Sequence, residues 1–171
     1  MGDGALVKIQ EVTASTDGSV TLGGSNWDDS YDVYRIVLKH VTMATSNARL
    51  KVQFMKGTSA ETGSDIDRGH IDMKAGDDFY DDKTQNTTYL QSFKLGDSNE
   101  ALNMVMHLFS FNNSSTESYV TYENVVYGAG MSWGQQGGMI HDTASVSTGI
   151  YFSTTTGNIA SGLFTIYGLK K

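Results

Sequence analysis

The sequence predicts an all-β protein, a two-sheet antiparallel sandwich, on three observations. Apolar and polar residues alternate with period two in several short runs. Pairs of Gly, Asn and Asp separate the runs, and Gly, Ser, Thr and Asn recur too often for an amphipathic helical pattern to last three turns. A chain of 171 residues is the size of one domain (1–171) and buries enough apolar surface to fold without staples. It contains no cysteine, so neither a disulfide framework nor a Cys-based zinc site is available.

Taken in order, Ala5 to Val12 and Ser19 to Leu22 are the first two strand candidates. Tyr34, Ile36 and Leu38 then alternate with Arg35, Val37 and Lys39, and Leu50, Val52 and Phe54 alternate with Lys51, Gln53 and Met55. Such alternation puts one set of side chains on each side of a sheet. Thr87 to Leu95 is a further candidate. The longest clear run sets Leu102, Met104, Met106 and Leu108 against Asn103, Val105, His107 and Phe109, and Phe111 closes it. Ser118 to Tyr127, Gly149 to Ser153 and Gly162 to Leu169 complete about nine strands, a spacing that suits a sandwich better than a parallel α/β sheet. Asp17-Gly18, Gly23-Gly24, Gly96-Asp97, Asn112-Asn113 and Gly157-Asn158 are the expected turns, and the absence of proline leaves tight turning to Gly, Asn and Asp.

Two stretches interrupt this pattern. Residues 57–83 are acidic and poorly patterned, which predicts a surface excursion with one short strand near Ile66 to Met73. Residues 128–147 are Gly-rich around Trp133 and predict a loop. Met131, Trp133, Met139 and Ile140 make it too apolar for full solvation, so it is expected to pack on the sandwich or on a neighbouring subunit. Val33, Val37 and Val41 are expected to share a partly apolar face open to intersubunit packing.

The formal charge is −7, and eight of the acids stand between Glu61 and Asp82 against Arg68 and Lys74 alone. This argues against a nucleic-acid partner, which needs clustered Lys and Arg. Asp65, Asp67, Asp77, Asp78, Asp81 and Asp82 are the candidate calcium ligands, because Ca²⁺ takes several loop oxygens, although no EF-hand loop is spelled out and solvated acidic loops are common. No other cofactor is expected. The start of the chain carries no basic n-region or apolar h-region, no apolar run is long enough for a membrane span, and Leu6 stands where a myristoylation signal wants Ser or Thr. Synthesis in a cytoplasm without membrane insertion is the expectation.

Gly130-Met131-Ser132-Trp133-Gly134 matches the G-x-S-x-G pattern of a nucleophile elbow. The context is against it: Gln135-Gln136-Gly137-Gly138 follows where a helix should start, and no histidine lies beyond Asp142. His40, His70, His107 and His141 are scattered, with no two at metal-ligand spacing on one element. No catalytic residue is assigned and an enzyme is not expected. Trp27, Tyr31, Tyr80, Tyr89, Tyr119 and Trp133 lie in or beside turn-rich segments and are the candidate ligand or interface residues. Sugar rings stack on such faces, protein interfaces favour the same residues, and burial in a core is the competing use.

Two segments carry a resemblance. The first is Trp27-Asp28-Asp29-Ser30-Tyr31-Asp32-Val33-Tyr34-Arg35-Ile36-Val37-Leu38, followed by Val41-Thr42-Met43-Ala44-Thr45 and by Leu50 to Phe54. The second is Gly149-Ile150-Tyr151-Phe152 with the ending Thr156-Gly157-Asn158-Ile159-Ala160-Ser161-Gly162-Leu163-Phe164-Thr165-Ile166-Tyr167-Gly168-Leu169-Lys170. Together they resemble a β-sandwich domain of tailed-bacteriophage structural proteins, particularly tail-fibre-like and other virion-surface proteins. The resemblance implies a jelly-roll-like virion domain, often a homotrimer, in contact with other virion proteins, and it transfers no ligand site. Three functions follow as expectations: a tail-fibre or adhesin-like module that meets a host surface glycan or a virion neighbour, a capsid decoration (cement) protein, or a carbohydrate-binding lectin-like module. A decoration protein should hold its partner by flat faces and termini, whereas an adhesin should use its loops.

Overall fold

The computed structural model describes residues 5–76, 79–94, 100–128 and 131–169. It is an antiparallel sandwich of thirteen strands, and they appear in this order: β1 (Leu6–Asp17), β2 (Ser19–Gly23), β3 (Val33–Met43), β4 (Arg49–Lys56), β5 (Ser59–Ala60), β6 (Ile66–Lys74), β7 (Phe79–Thr87), β8 (Leu90–Lys94), β9 (Leu102–Phe109), β10 (Ser118–Gly128), β11 (Met131–His141), β12 (Gly149–Thr154) and β13 (Ile159–Leu169). One three-residue 3-10 turn, Gly24–Asn26, follows β2.

The pairing defines the fold. The large sheet runs β1-β13-β3-β9-β10-β11-β6-β7, and the small one runs β2-β12-β4, with β5 and β8 both pairing β4. Leaving out β5, β6, β7, β10 and β11, eight strands remain, in two rows: β1-β13-β3-β9 and β2-β12-β4-β8. The first remaining strand pairs the last, the second the seventh, the third the sixth and the fourth the fifth. That is one long antiparallel hairpin rolled on itself, the jelly roll. The segment inserted at the tip of the roll supplies β6 and β7, and the segment between the sixth and seventh rolled strands supplies β10 and β11. Both insertions add to the free edge at β9 and double the width of one sheet.

The alternating runs bury the faces expected of them. Tyr34, Ile36 and Leu38, then Leu50, Val52 and Phe54, then Leu102, Met104, Met106 and Leu108 all lie in the core between the two sheets. Phe152 of the small sheet meets Phe164 of the large one at 5.2 Å between ring centroids. In β3 the inward phase changes. His40 adopts φ 51°, its amide is held by Asn103 Oδ1 at 3.0 Å, and the register slips between Leu38 and Val41. This bulge adds one residue, so Val41 and Met43 turn inward after Leu38. Val33 and Val37 remain on the outer face, but Val41 is in the core and is unavailable to a neighbouring subunit.

Both irregular stretches need correction. In residues 57–83 the strand expected near Ile66 to Met73 is present as β6, but the stretch is more than a surface excursion, because it also holds β5 and the start of β7, and β6 pairs across its length with β11. Residues 128–147 are not a loop, because residues 131–141 form an inner strand of the large sheet between β10 and β6. Its glycines are there for close approach and not for turning. A Cβ on Gly137 would collide with the Gly69 carbonyl and His70, and a Cβ on Gly138 would lie 2.8 Å from the Val120 carbonyl oxygen. Of the expected turns, Gly23 (φ 103°), Gly24 (φ 63°) and Gly157 (φ 69°) do carry the left-handed backbone. Elsewhere it falls on a neighbour, on Thr16 beside Asp17-Gly18 and on Ser110 before Asn112-Asn113, while Gly96-Asp97 lies outside the described residues.

Candidate functional site

The widened half of the large sheet, β10-β11-β6-β7, has two faces with different chemistry. The inner face continues the core, but its side chains turn polar away from the roll. Asn124 Nδ2 donates to Gln135 Oε1 at 2.7 Å, and Gln135 Nε2 donates to Asp72 Oδ1 at 2.7 Å and lies 3.1 Å from His70 Nε2. Arg68 reaches Thr84 Oγ1 at 3.2 Å and Asp82 at 3.4 Å. His70 Nε2 stands 3.4 Å from Asp72 and 4.0 Å from Asp82, yet burial lowers its pKa and outweighs the pull of both carboxylates. A neutral ring makes these contacts hydrogen-bonding and dipolar in character, not ion pairs. Burial likewise pushes the Tyr122 phenol well up, and its ring meets His70 edge-on at 6.2 Å. The seam is therefore a partly satisfied set of buried polar groups: the Asn124–Gln135–Asp72 bonds and the Arg68–Asp82 pair tie β6 to its neighbours, while His70 Nδ1, the Tyr122 hydroxyl and Asn124 Oδ1 are buried without a hydrogen-bond partner.

A second polar cluster ties the tip of the roll to β11. Glu61 accepts the Gly63 and Thr62 amides at 2.8 and 2.9 Å and pairs with Lys56. The Lys56 hydrogen bond, then these amides, hold its pKa down at about 2. His141, fully buried against Phe54, lies 3.9 Å from Glu61 Oε2. Burial and then Lys56 keep its pKa below the ordinary value.

The outer face is not covered by the small sheet. Register places its side chains in rows that cross the strands. One row is Phe109, Tyr119, Ile140 and Asp67; the next is His107, Thr121, Gly138, Gly69 and Lys83; a third is Val105, Glu123, Gln136, Ile71 and Asp81; a fourth is Asn103, Val125, Gly134, Met73 and Phe79. Two glycines side by side leave the second row low between its neighbours. The result is an open groove of about 760 Å³ whose floor is the Gly138 and Gly69 backbone and whose sides include Tyr119, Ile140, Asp67, Thr121, Lys83 and Gln85. Around it the sheet face carries exposed apolar side chains, among them Ile71, Met73, Val125, Tyr127 and Phe79, the last 75% exposed.

The candidate aromatic residues are not brought together. Trp27 packs on Tyr34 (4.2 Å) and Phe111 (5.8 Å), and its Nε1 donates to Asn112 Oδ1 at 2.9 Å. Tyr31 fills the space above Gly168, which has no room for a Cβ. Tyr89 lies under the Lys51 ammonium at 4.3 Å, and Trp133, part-buried against the core, under Lys74 at 4.7 Å. Tyr80 is exposed on β7. Only Tyr119 lines the groove.

The candidate calcium ligands are also spread out. Asp67 accepts the Asn86 amide at 2.9 Å and Gln85 Nε2 at 3.4 Å, Asp81 pairs with Lys83 at 3.0 Å, and Asp82 is engaged by Arg68. The Asp65 carbonyl accepts the Asp142 amide at 2.9 Å, and Asp77 and Asp78 lie outside the described residues. Among the described residues no three His, Cys, Asp or Glu side chains gather as a metal site. Ser132 sits within β11 opposite Tyr127, so the motif around it is strand and not a strand-to-helix elbow. His141 is at the far end of the same strand.

The groove residues Thr121, Gly138, Gly69 and Lys83 were not singled out by the sequence reading. Their only signal is a pair of glycines in separate strands, which means nothing until the register is known. Among the described residues no helix is long and apolar enough to cross a membrane. No protein-family model, no curated protein and no solved structure matches this chain.

Proposed function

We propose that this chain is a structural protein of a bacteriophage particle, a tail-fibre or adhesin-like module exposed on the virion, and that its working surface is the outer face of the β10-β11-β6-β7 half-sheet. One observation carries this reading. Large exposed apolar side chains collect on one open, rigid strand face, in rows, on elements that the jelly roll does not need for closure. Contiguous exposed apolar surface of this kind marks interaction sites. The resemblance of the front and end motifs to virion-surface proteins supplies the setting, and the jelly roll is an architecture that capsid and lectin domains share. We take the functional unit to be a homo-oligomer, a trimer by that resemblance, without catalytic activity or bound cofactor.

The decoration-protein reading has an observation in its favour too. Among the described residues the large exposed apolar side chains lie on strands, including Leu6, Val7 and Leu169, with Val146 alone on a connecting loop. Trp27, one of the aromatic residues expected beside turns as a ligand or interface contact, is instead spent on packing. Mass spectrometry of purified parent particles tests the shared claim and separates the two readings. The account expects the protein in the particle, at few copies for a fibre and at copies scaling with the capsid subunits for a decoration protein. Its absence from purified particles contradicts both and leaves the free lectin-like module.

A further inference from the structure

We propose that the groove floored by Gly69 and Gly138 is a saccharide-binding site that takes a neutral oligosaccharide lying across the strands. This deepens the adhesin reading above and rests on it only for where such a glycan is met.

The argument begins with Gly69. A glycine inside a strand is less stable there than alanine, so its presence wants a reason. At Gly138 the reason is local, since a Cβ would lie 2.8 Å from the Val120 carbonyl oxygen. At Gly69 it is not. Its φ is outside the left-handed region, and a Cβ there would meet only Asp82 O at 3.9 Å and Lys83 Cβ at 4.0 Å, ordinary van der Waals contact. Neither backbone nor packing requires glycine at this position. What the missing side chain leaves is open space in the middle of the groove, and strand glycines often stand where a ligand approaches the backbone closely.

The sides of the groove say what kind of ligand. The row along one side offers apolar surface from Tyr119 and Ile140 and continues into a carboxylate, Asp67, that the Asn86 amide already orients at 2.9 Å. Thr121, Gln85 and Lys83 add a hydroxyl, an amide and an ammonium. A sugar ring has the matching halves: a C–H face that packs on an aromatic ring, and hydroxyls that donate to a carboxylate and accept from an ammonium or amide. The volume, about 760 Å³, falls in the range of ligand sites, but the groove is open along its length, as a chain needs and a buried apolar ligand does not. Lys83 is already paired with Asp81 at 3.0 Å and Asp67 adds a further negative charge, so the groove has no surplus of positive charge to offer an anionic polymer. Three steps between strands, from Thr121 on β10 to Lys83 on β7, give a track of ~14 Å.

The test is an amide-resolved NMR titration of the full chain with neutral gluco-, manno- and galacto-oligosaccharides and N-acetylhexosamine oligomers, with hexuronate oligomers as the charged comparison. The inference expects at least one neutral probe to give saturable shifts at Gly69, Gly138 and Thr121. Gly69→Val should weaken that binding by at least about tenfold, with the thermal midpoint unchanged. Tyr119→Ala should weaken it as well, and Lys8→Ala, exposed on β1 of the other half of the sheet, should bind as the parent does. The inference is overturned if no neutral probe moves the groove amides, if hexuronates bind better, or if Gly69→Val binds like the parent. It is overturned equally if that variant changes the sedimenting mass of the free protein, since the groove is then a contact between copies. Particle membership is read separately by mass spectrometry. A protein present in the virion but blind to glycans sinks this inference and spares the function proposed above, and the reverse result does the opposite.

Discussion

The two halves of the large sheet have four strands each and the same antiparallel pairing, but their inner faces differ in polarity. Under the small sheet, β1-β13-β3-β9 bury Tyr34, Ile36, Met106, Phe164 and Ile166 against Leu22, Phe54 and Phe152. Beyond β9, the same layer keeps Val120, Tyr122, Val126, Met139 and Ile66 in the core but adds the polar side chains of Asn124, Gln135, His70, Asp72 and Arg68. The rolled half is stabilised by removing apolar area from water, a term indifferent to direction. The widened half is held by hydrogen bonds that work only in one register. The roll supplies stability, and the insertions supply a flat, register-locked platform whose outer face is free to carry function.

If this division is right, the largest stability losses come from the rolled half. Phe164→Ala or Phe54→Ala, both fully buried, should cost about 3–5 kcal/mol in denaturant unfolding. In the polar seam, Gln135→Ala strands Asn124 Nδ2 and Asp72 and should cost about 1–3 kcal/mol. That loss should appear in hydrogen exchange first at β6 and β7, with β3 and β13 still protected. An equal loss of protection in both halves would show that the two are not distinct.

The pH dependence sharpens the same contrast. The folded pKa of Glu61 is lowered from 4.5 to about 2, so its contribution is fully present above the unfolded value and is lost as the pH falls through that interval. Glu61→Gln should therefore destabilise by about 1–2 kcal/mol at neutral pH, with the difference from the parent vanishing at the acid end. His70 and His141 are also depressed, from 6.5, so the unfolded chain takes up protons first and stability declines as the pH drops below that value. Protection of β6 and β11 should fall in mild acid before that of β3. The smallest effect belongs to Gly69→Val, expected within about 1 kcal/mol of the parent, against a loss of about 1–3 kcal/mol for Gly138→Val, whose Cβ meets the Val120 carbonyl.

These differences also explain what the sequence made legible. The rolled half was readable because its strands alternate apolar and polar residues over one buried face, as Leu102 to Leu108 do. Even there the bulge at His40 hid the inward turn of Val41, since a one-residue slip leaves no mark in composition. The widened half was not readable in the same way. Two of its strands, β6 and β10, were expected near Ile66 to Met73 and Ser118 to Tyr127, but β7 was not, and the glycines of β11 look like loop because their cause, the approach of Val120 and His70, is a contact between strands. For that reason the groove was missed while Tyr119, one of its walls, was among the candidates. The eight-strand roll beneath the insertions could be inferred only as a class, from the resemblance.

The central claim is that the outer face of the widened half-sheet is the working surface. Phe79 and Tyr127 are 75% and 65% exposed on that face, so the double variant Phe79→Glu, Tyr127→Glu should fold with the parent's thermal midpoint. Supplied in place of the parent protein during particle assembly, it should give particles that adsorb to host cells at least about tenfold less well. Adsorption at the parent's rate by particles that carry the variant would contradict the account.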